Sequence, residues 1–204
     1  NTAPLVAIAG DKELTTTAVV VSWKSKAERT RTVGDFRRDL IANLYTSMLN
    51  ARLAEIAQKP DAPFLQARAE KAGYFARNMG AFELTAVVKD GGADRGLESV
   101  LTEARRVDQF GFLQSELDRA KQNVLRAYER AYTERDKTNS GVLVQSYIEN
   151  FLQGDAIPSI EYEYGLTQTI IPAITLADVN SSASRWITDE NRVVTVTAPL
   201  KPNV

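Results

Sequence analysis

Between residues 34 and 67 the apolar positions recur three and four apart until two prolines interrupt them. Phe36, Leu40, Leu44, Met48 and Leu53, with Ile41, Tyr45, Leu49 and Ile56 beside them, form one broad stripe, which predicts a long amphipathic helix. Asp35 near its start suits the helix dipole. Pro60 and Pro63 stop it, because proline lacks the ladder N–H and disfavours helical geometry in the residue before it. Ahead of this helix, residues 5–9 and 15–23 read as strands. The second, TTTAVVVSW, is rich in β-branched side chains, and Gly10-Asp11-Lys12 is a turn signal that predicts a hairpin between the two. Beyond the helix, residues 64–77 and 82–89 read as strands joined at Asn78-Met79-Gly80. In the latter, Phe82, Leu84, Ala86 and Val88 alternate with Glu83, Thr85 and Val87, so one face is expected to be buried. Lys89-Asp90-Gly91-Gly92 ends it with turn chemistry.

The remainder is mainly helical in pattern. Leu97, Val100, Leu101, Ala104, Val107 and Phe110 mark a second helix closed by Gly111. Residues 115–135 form a third, with Leu117, Ala120, Val124, Tyr128 and Ala131 on one stripe and charged residues opposite. Residues 140–153, 159–171 and 175–186 predict three more, the fifth helix ended by Pro172 and the sixth opened by Thr175 and Asp178 at capping-box spacing. RVVTVT at 192–197 is a last strand. The order argues for an α+β fold in two layers: one mostly antiparallel mixed sheet with helices packed on one face, in a single domain over 1–204.

Composition removes several chemistries. Among the 204 residues there is no cysteine and no histidine. Disulfides, thiolate sites and the usual zinc sites therefore cannot be built. The formal net charge of -1 offers no field for nucleic acid or anionic lipid, and no apolar run approaches the length of a membrane span. Lys24, Lys26, Arg29, Arg31, Arg37 and Arg38 form a locally basic stretch, but Glu28 and Asp35 interrupt it and no aromatic residue is interleaved. It reads as a solvated linker and first helical turn. Ser22-Trp23-Lys24 and Ser25-Lys26 do not make a Ser–Lys pair, since neighbours in a strand point to opposite faces. Glu161-Tyr162-Glu163-Tyr164 fans around a helix and reads as solvent-facing acids with partly buried tyrosines.

Four stretches, taken in order, resemble the pitrilysin/insulinase-type zinc metallopeptidases. ARLAEI at 51–56 is similar to their S-R-L-F-x-x-L helix end, and FELTAVVKDG at 82–91 to their F-x-I-Y-A-G strand. FGFLQSELDRAKQNVLRAY at 110–128 is similar to their G-[VF]-[TS]-x-x-E-L-x-R-A-K helix, and ITLADVNSSASRWITDENRVVTVTAP at 174–199 to their closing helix and strand. The order and spacing agree over residues 5–199, and the long bacterial zinc-protease members resemble it most. The resemblance implies a mitochondrial-processing-peptidase-like half: in this family two similar halves face one another like a clamshell, and one carries H-x-x-E-H.

Without histidine this chain resembles the other half. The resemblance implies that it forms the chamber wall and a peptide-gripping surface, and that zinc lies in a partner half of the same polypeptide or of a paired subunit. There the zinc half would align a peptide substrate along its sheet edge. Some halves of this kind carry an arginine and, a few residues on, a tyrosine that stabilise the developing oxyanion. The matching positions here are Gln58 and Leu65, or Ala57 and Phe64 one register over, so the pair is missing. No catalytic, cofactor-binding or metal-binding residue is therefore assigned in this chain. The absence of an initiator methionine and of a signal-like segment is read as marking a piece of a longer or processed chain, for which the resemblance implies a periplasmic setting. The alternative is a non-proteolytic structural or assembly module on the same fold.

Overall fold

The computed structural model of the chain describes residues 1–200. The elements run β1 (Leu5–Asp11), β2 (Thr17–Lys26), α1 (Val33–Ala57), β3 (Gln66–Tyr74), β4 (Ala76–Val88), α2 (Ala93–Phe110), α3 (Gln114–Thr133), α4 (Ser140–Gln153), α5 (Ile160–Ala173), α6 (Leu176–Asn180), α7 (Ala183–Trp186) and β5 (Arg192–Pro199), with a 3-10 turn at Arg135–Lys137 after α3. The fold is α+β. Two compact units divide the chain: a sheet unit of residues 1–27, 46–111 and 180 onward, and a helical unit of residues 28–45 and 112–179.

In the sheet unit five strands lie in the order β1-β5-β2-β4-β3. β5 runs parallel to β1 and antiparallel to β2, so the expected β1–β2 hairpin does not form. Gly10 and Asp11 instead end β1, paired with Ala198 and Pro199 of the C-terminal strand, which fills the place between the two. The β3–β4 connection also differs from expectation. It turns at Phe75, whose φ of 49° is left-handed, while Asn78-Met79-Gly80 lies inside β4 and pairs with β2 through Lys26↔Met79 and Ser25↔Gly80.

The alternation in β4 is as predicted. Phe82, Leu84, Ala86 and Val88 are buried and Glu83, Thr85 and Val87 less so. β2 buries Val19, Val21 and Trp23. On its other side Ser22 donates its hydroxyl hydrogen to the Glu83 carboxylate across the pair. α2 lies on the buried face: a Cβ built on Gly96 would stand 2.4 Å from Val88 Cγ1. At the far end of that face the Trp186 ring of α7 stacks on Phe82 at 5.4 Å, Trp23 approaches Phe82 at 6.0 Å, and the Trp23 indole donates to Thr188 O at 2.8 Å. The β3 edge is guarded by α1. Asn50 Nδ2 donates to Ala69 O at 3.0 Å and its Oδ1 accepts from Ala69 N at 2.6 Å, satisfying backbone groups that an edge strand leaves open.

In the helical unit the first turns of α1 carry Phe36 edge-on to Tyr128 of α3 at 6.1 Å, and Tyr45 edge-on to Phe112 at 5.3 Å. Leu117, Ala120 and Val124 are the buried stripe of α3, and Tyr132 stacks on Tyr164 of α5 at 5.0 Å. α5 runs one residue past Pro172. The single helix expected over 175–186 is instead two short ones, interrupted at Ser181-Ser182, residues of modest helix propensity.

The close approach at Gly96 leads to a prediction. Gly96→Val should cost about 2 kcal/mol, because the stiff, buried Val88 cannot yield to the added methyls. Urea unfolding of the variant would show it as a lowered midpoint with unchanged slope.

Candidate functional site

The positions that would carry the oxyanion-stabilising pair lie around the end of α1. Ala57 is its last residue and Gln58 is exposed. Phe64 is 3% exposed and belongs to the core, whereas Leu65 is 52% exposed and donates its N–H to Val87 O at 2.7 Å. Either register therefore offers packing and strand pairing in place of a cation and a phenol.

Arg52, in the ARLAEI stretch, holds the sheet unit together. Its Nη1 lies 3.2 Å from Glu103 Oε1, a carboxylate almost wholly buried on α2, and its Nη2 donates to Gly111 O at 3.2 Å. One guanidinium thus compensates a buried charge and satisfies a carbonyl just past the end of α2. Gly111 there has a φ of 69°, and a Cβ on it would stand 2.4 Å from the Asn180 side chain. The arginine of that stretch has a structural function.

The basic stretch differs from the solvated linker expected of it, since four of its arginines are engaged within the helical unit. Arg38 meets Asp35 at 2.6 Å, Asp39 at 3.0 Å and Glu28 at 3.3 Å. Arg37 meets Asp178 at 3.0 Å. Arg31 donates to Gln153 O at 2.8 Å and Gly154 O at 3.0 Å, closing the C-terminus of α4, and Arg29 donates to the Gln153 side chain. Asp35 also completes a capping box at the start of α1. Its carboxylate accepts from Thr32 Oγ1 at 2.8 Å while its own N–H donates back to Thr32 Oγ1 at 3.1 Å. The same T-x-x-D arrangement, predicted at Thr175 and Asp178, opens α6. The first box has the same T-x-x-D signature, which the surrounding basic run masks.

These contacts frame a groove of about 390 Å³ in the helical unit. Arg31, Thr32 and Phe36 line one wall, Ser146 and Glu149 of α4 another, and Ile157, Tyr162 and Glu163 the rest. Within Glu161-Tyr162-Glu163-Tyr164 the burial is not as expected: Tyr162 is exposed, and Glu163 is only partly so. Burial pushes the Glu163 carboxyl up from its ordinary value. The Tyr128 phenol is pushed up to about 12, first by burial and then by the charges of Glu163 and Asp39. The hydrogen bond of its own backbone N–H, then that of Ser159, holds Glu161 below its ordinary value. The groove is lined by hydroxyl, carboxyl and guanidinium groups that can contact a ligand. Among the described residues no three of His, Cys, Asp and Glu are grouped as metal ligands. With no imidazole or thiolate in the sequence, the donors present do not fit zinc.

The sequence is 29% identical over 170 residues to an Arabidopsis thaliana protein named zinc protease PQQL-like, covering 83% of this chain and 15% of that protein. The first half of the periplasmic protease PqqL from Escherichia coli superposes with a TM-score of 0.87 at 16% identity, covering 97% of this chain and 42% of that one. The chain shares the fold of that protease half. A peptidase inactive domain from Pseudomonas fluorescens shares that fold, with a TM-score of 0.67 at 13% identity over 99% of this chain and 45% of that one. No protein-family model matches the sequence. In sequence and in fold, then, the chain resembles the pitrilysin/insulinase-type zinc metallopeptidases, and it spans less than half the length of each relative described here.

The two capping boxes predict a pH response. Hydrogen bonds from Thr32 and then from the Arg31 backbone hold the Asp35 carboxyl at about 2, below its ordinary 3.8. Hydrogen bonds from the Thr175 backbone and hydroxyl, and then from Arg37, hold Asp178 at about 2. A carboxyl lowered in the folded state stabilises it above the unfolded value and ceases to do so as pH falls through the folded one. Stability should therefore decline between about pH 4 and pH 2. Asp35→Asn and Asp178→Asn should each flatten that decline, as read from urea midpoints on either side of the window.

Proposed function

We propose that this chain is the non-catalytic half of a zinc metalloprotease unit, forming the chamber wall and a peptide-gripping surface opposite a zinc-bearing half. The observation that carries this reading is a metallopeptidase-half fold built from a sequence without a single histidine or cysteine. Hydrolysis at zinc needs ligands that leave an open position for water, and the imidazoles that normally do so are lacking here. The hydrolytic metal therefore belongs to the other half, and no bond-breaking step runs through this chain. Its contribution is to hold a peptide against the opposite half and to exclude water and oversized substrates on closure. The missing arginine–tyrosine pair fits that division of labour, because Gln58 and Leu65 offer no fixed positive charge to a developing oxyanion.

The reading requires more polypeptide than these 204 residues, and the PQQL-like relative, of which this chain spans 15%, is long enough to supply it. The zinc-bearing half would be part of the same polypeptide or a paired subunit. Purified and dialysed, this chain alone should retain no stoichiometric zinc by elemental analysis and should leave fluorogenic peptides intact. The polypeptide containing both halves should cleave them, and a chelator should abolish the cleavage. Tightly held zinc in the isolated chain would overturn the reading. A parent that neither binds metal nor cleaves peptides would favour the assembly module instead.

A further inference from the structure

α4 is turned inside out. At 3.6 residues per turn, Leu143, Val144, Tyr147, Ile148, Phe151 and Leu152 fall within about half the circumference of the helix. All six are exposed, from 40% at Leu152 to 86% at Phe151, and the helix buries no residue. Its polar side is the one engaged with the rest of the helical unit. Ser146 and Glu149 line the groove, Gln153 is held by Arg29 and Arg31, and Asn150 donates to Asp155 O at 2.6 Å. Its first turn is capped locally and its last is tied to Arg31. Asn139 Oδ1 accepts from Gly141 N at 2.7 Å at the start, and Arg31 covers the last carbonyls. A helix so anchored keeps its apolar face outward, and a contiguous exposed apolar face of this kind marks a contact surface.

Three occupants can be weighed. Helices that lie on a membrane surface carry Lys and Arg on the polar side. α4 has none, and its one charge is Glu149, so a lipid surface is disfavoured. A second copy of the chain would need roughly 800 Å² from each partner for a stable interface. Half the surface of this 14-residue helix, about 21 Å long and about 11 Å across, amounts to only about 350 Å². A face of that size is well suited to a covalently linked neighbour, whose effective concentration reaches the millimolar range without a large interface.

We propose that the apolar face of α4 is the docking surface for the remainder of the parent polypeptide, which covers Tyr147 and Phe151 with an apolar surface of its own. The inference rests on the reading of this chain as one part of a longer protein, and it assigns that contact to named residues.

The test uses the full-length parent, with the photo-crosslinker p-benzoylphenylalanine placed at Phe151 and, as a control on the exposed side of α3, at Glu129. The aromatic probe preserves the character of Phe151, so the fold is not put at risk. Mass spectrometry should find the Phe151 adduct within the same polypeptide, in segments outside residues 1–204, at least fivefold more often than the Glu129 adduct. Phe151→Glu should raise the hydrogen-exchange rate of those same segments. Adducts confined to a second copy, to lipid, or to residues 1–204, or a yield equal to that of the control, would overturn the proposal. Zinc analysis of the same preparation reports on the protease reading separately: a parent without zinc but with the Phe151 adduct loses that reading and keeps this contact.

Discussion

The sheet is closed by its last strand. β5 sits between β1 and β2 with Leu5↔Val193 on one side and Trp23↔Arg192 on the other, so the N-terminal strands reach each other only through a strand from the far end of the chain. The ends of this insertion are fastened. Asn191 N donates to Asn1 O at 2.8 Å, and Leu200 N donates to Asp11 O at 2.9 Å. The cost of closing so long a loop grows only slowly with its length, but pairing this distant in sequence slows folding. The apolar face of Val19, Val21 and Trp23 in β2 depends on that distant strand as one of its two flanks.

Much of the architecture was legible in the sequence because burial follows period. The stripe of α1, the alternation of β4, the glycine end of α2 and the limits of α4 came directly from the spacing of apolar and turn residues. The strand order was not legible. A turn signal such as Gly10-Asp11-Lys12 says that the chain bends, and it does not say what will occupy the space beside it. The β3–β4 turn is hidden in the sequence for a related reason. Phe75 adopts a left-handed backbone that local chemistry would assign to Asn78 or Gly80, and the long pairing of β4 with β2 overrode that preference.

The polar residues were harder to read than the apolar ones. A run of lysines and arginines has no period to reveal where its partners are. Arg31, Arg37 and Arg38 find theirs in carbonyls and carboxylates, some more than 100 residues distant. Arg52 is the instructive case. Its sequence neighbours do not announce its contacts with Glu103 and Gly111, where one planar cation serves a buried carboxylate and an open helix end. By contrast, the lack of imidazole and thiolate ligands could be read from composition, because a missing residue type needs no three-dimensional context.

Trp23 and Trp186 are the two tryptophans of the chain, and both rest on Phe82 in the sheet unit. The helical unit has only tyrosines and phenylalanines as its aromatic residues. Indole emission is therefore a spectroscopic reporter for one unit and is silent on the other, whereas far-ultraviolet circular dichroism records α3, α4 and α5 as well. If the two signals trace one melting curve, the units unfold cooperatively; if the curves separate, each unit has a transition of its own.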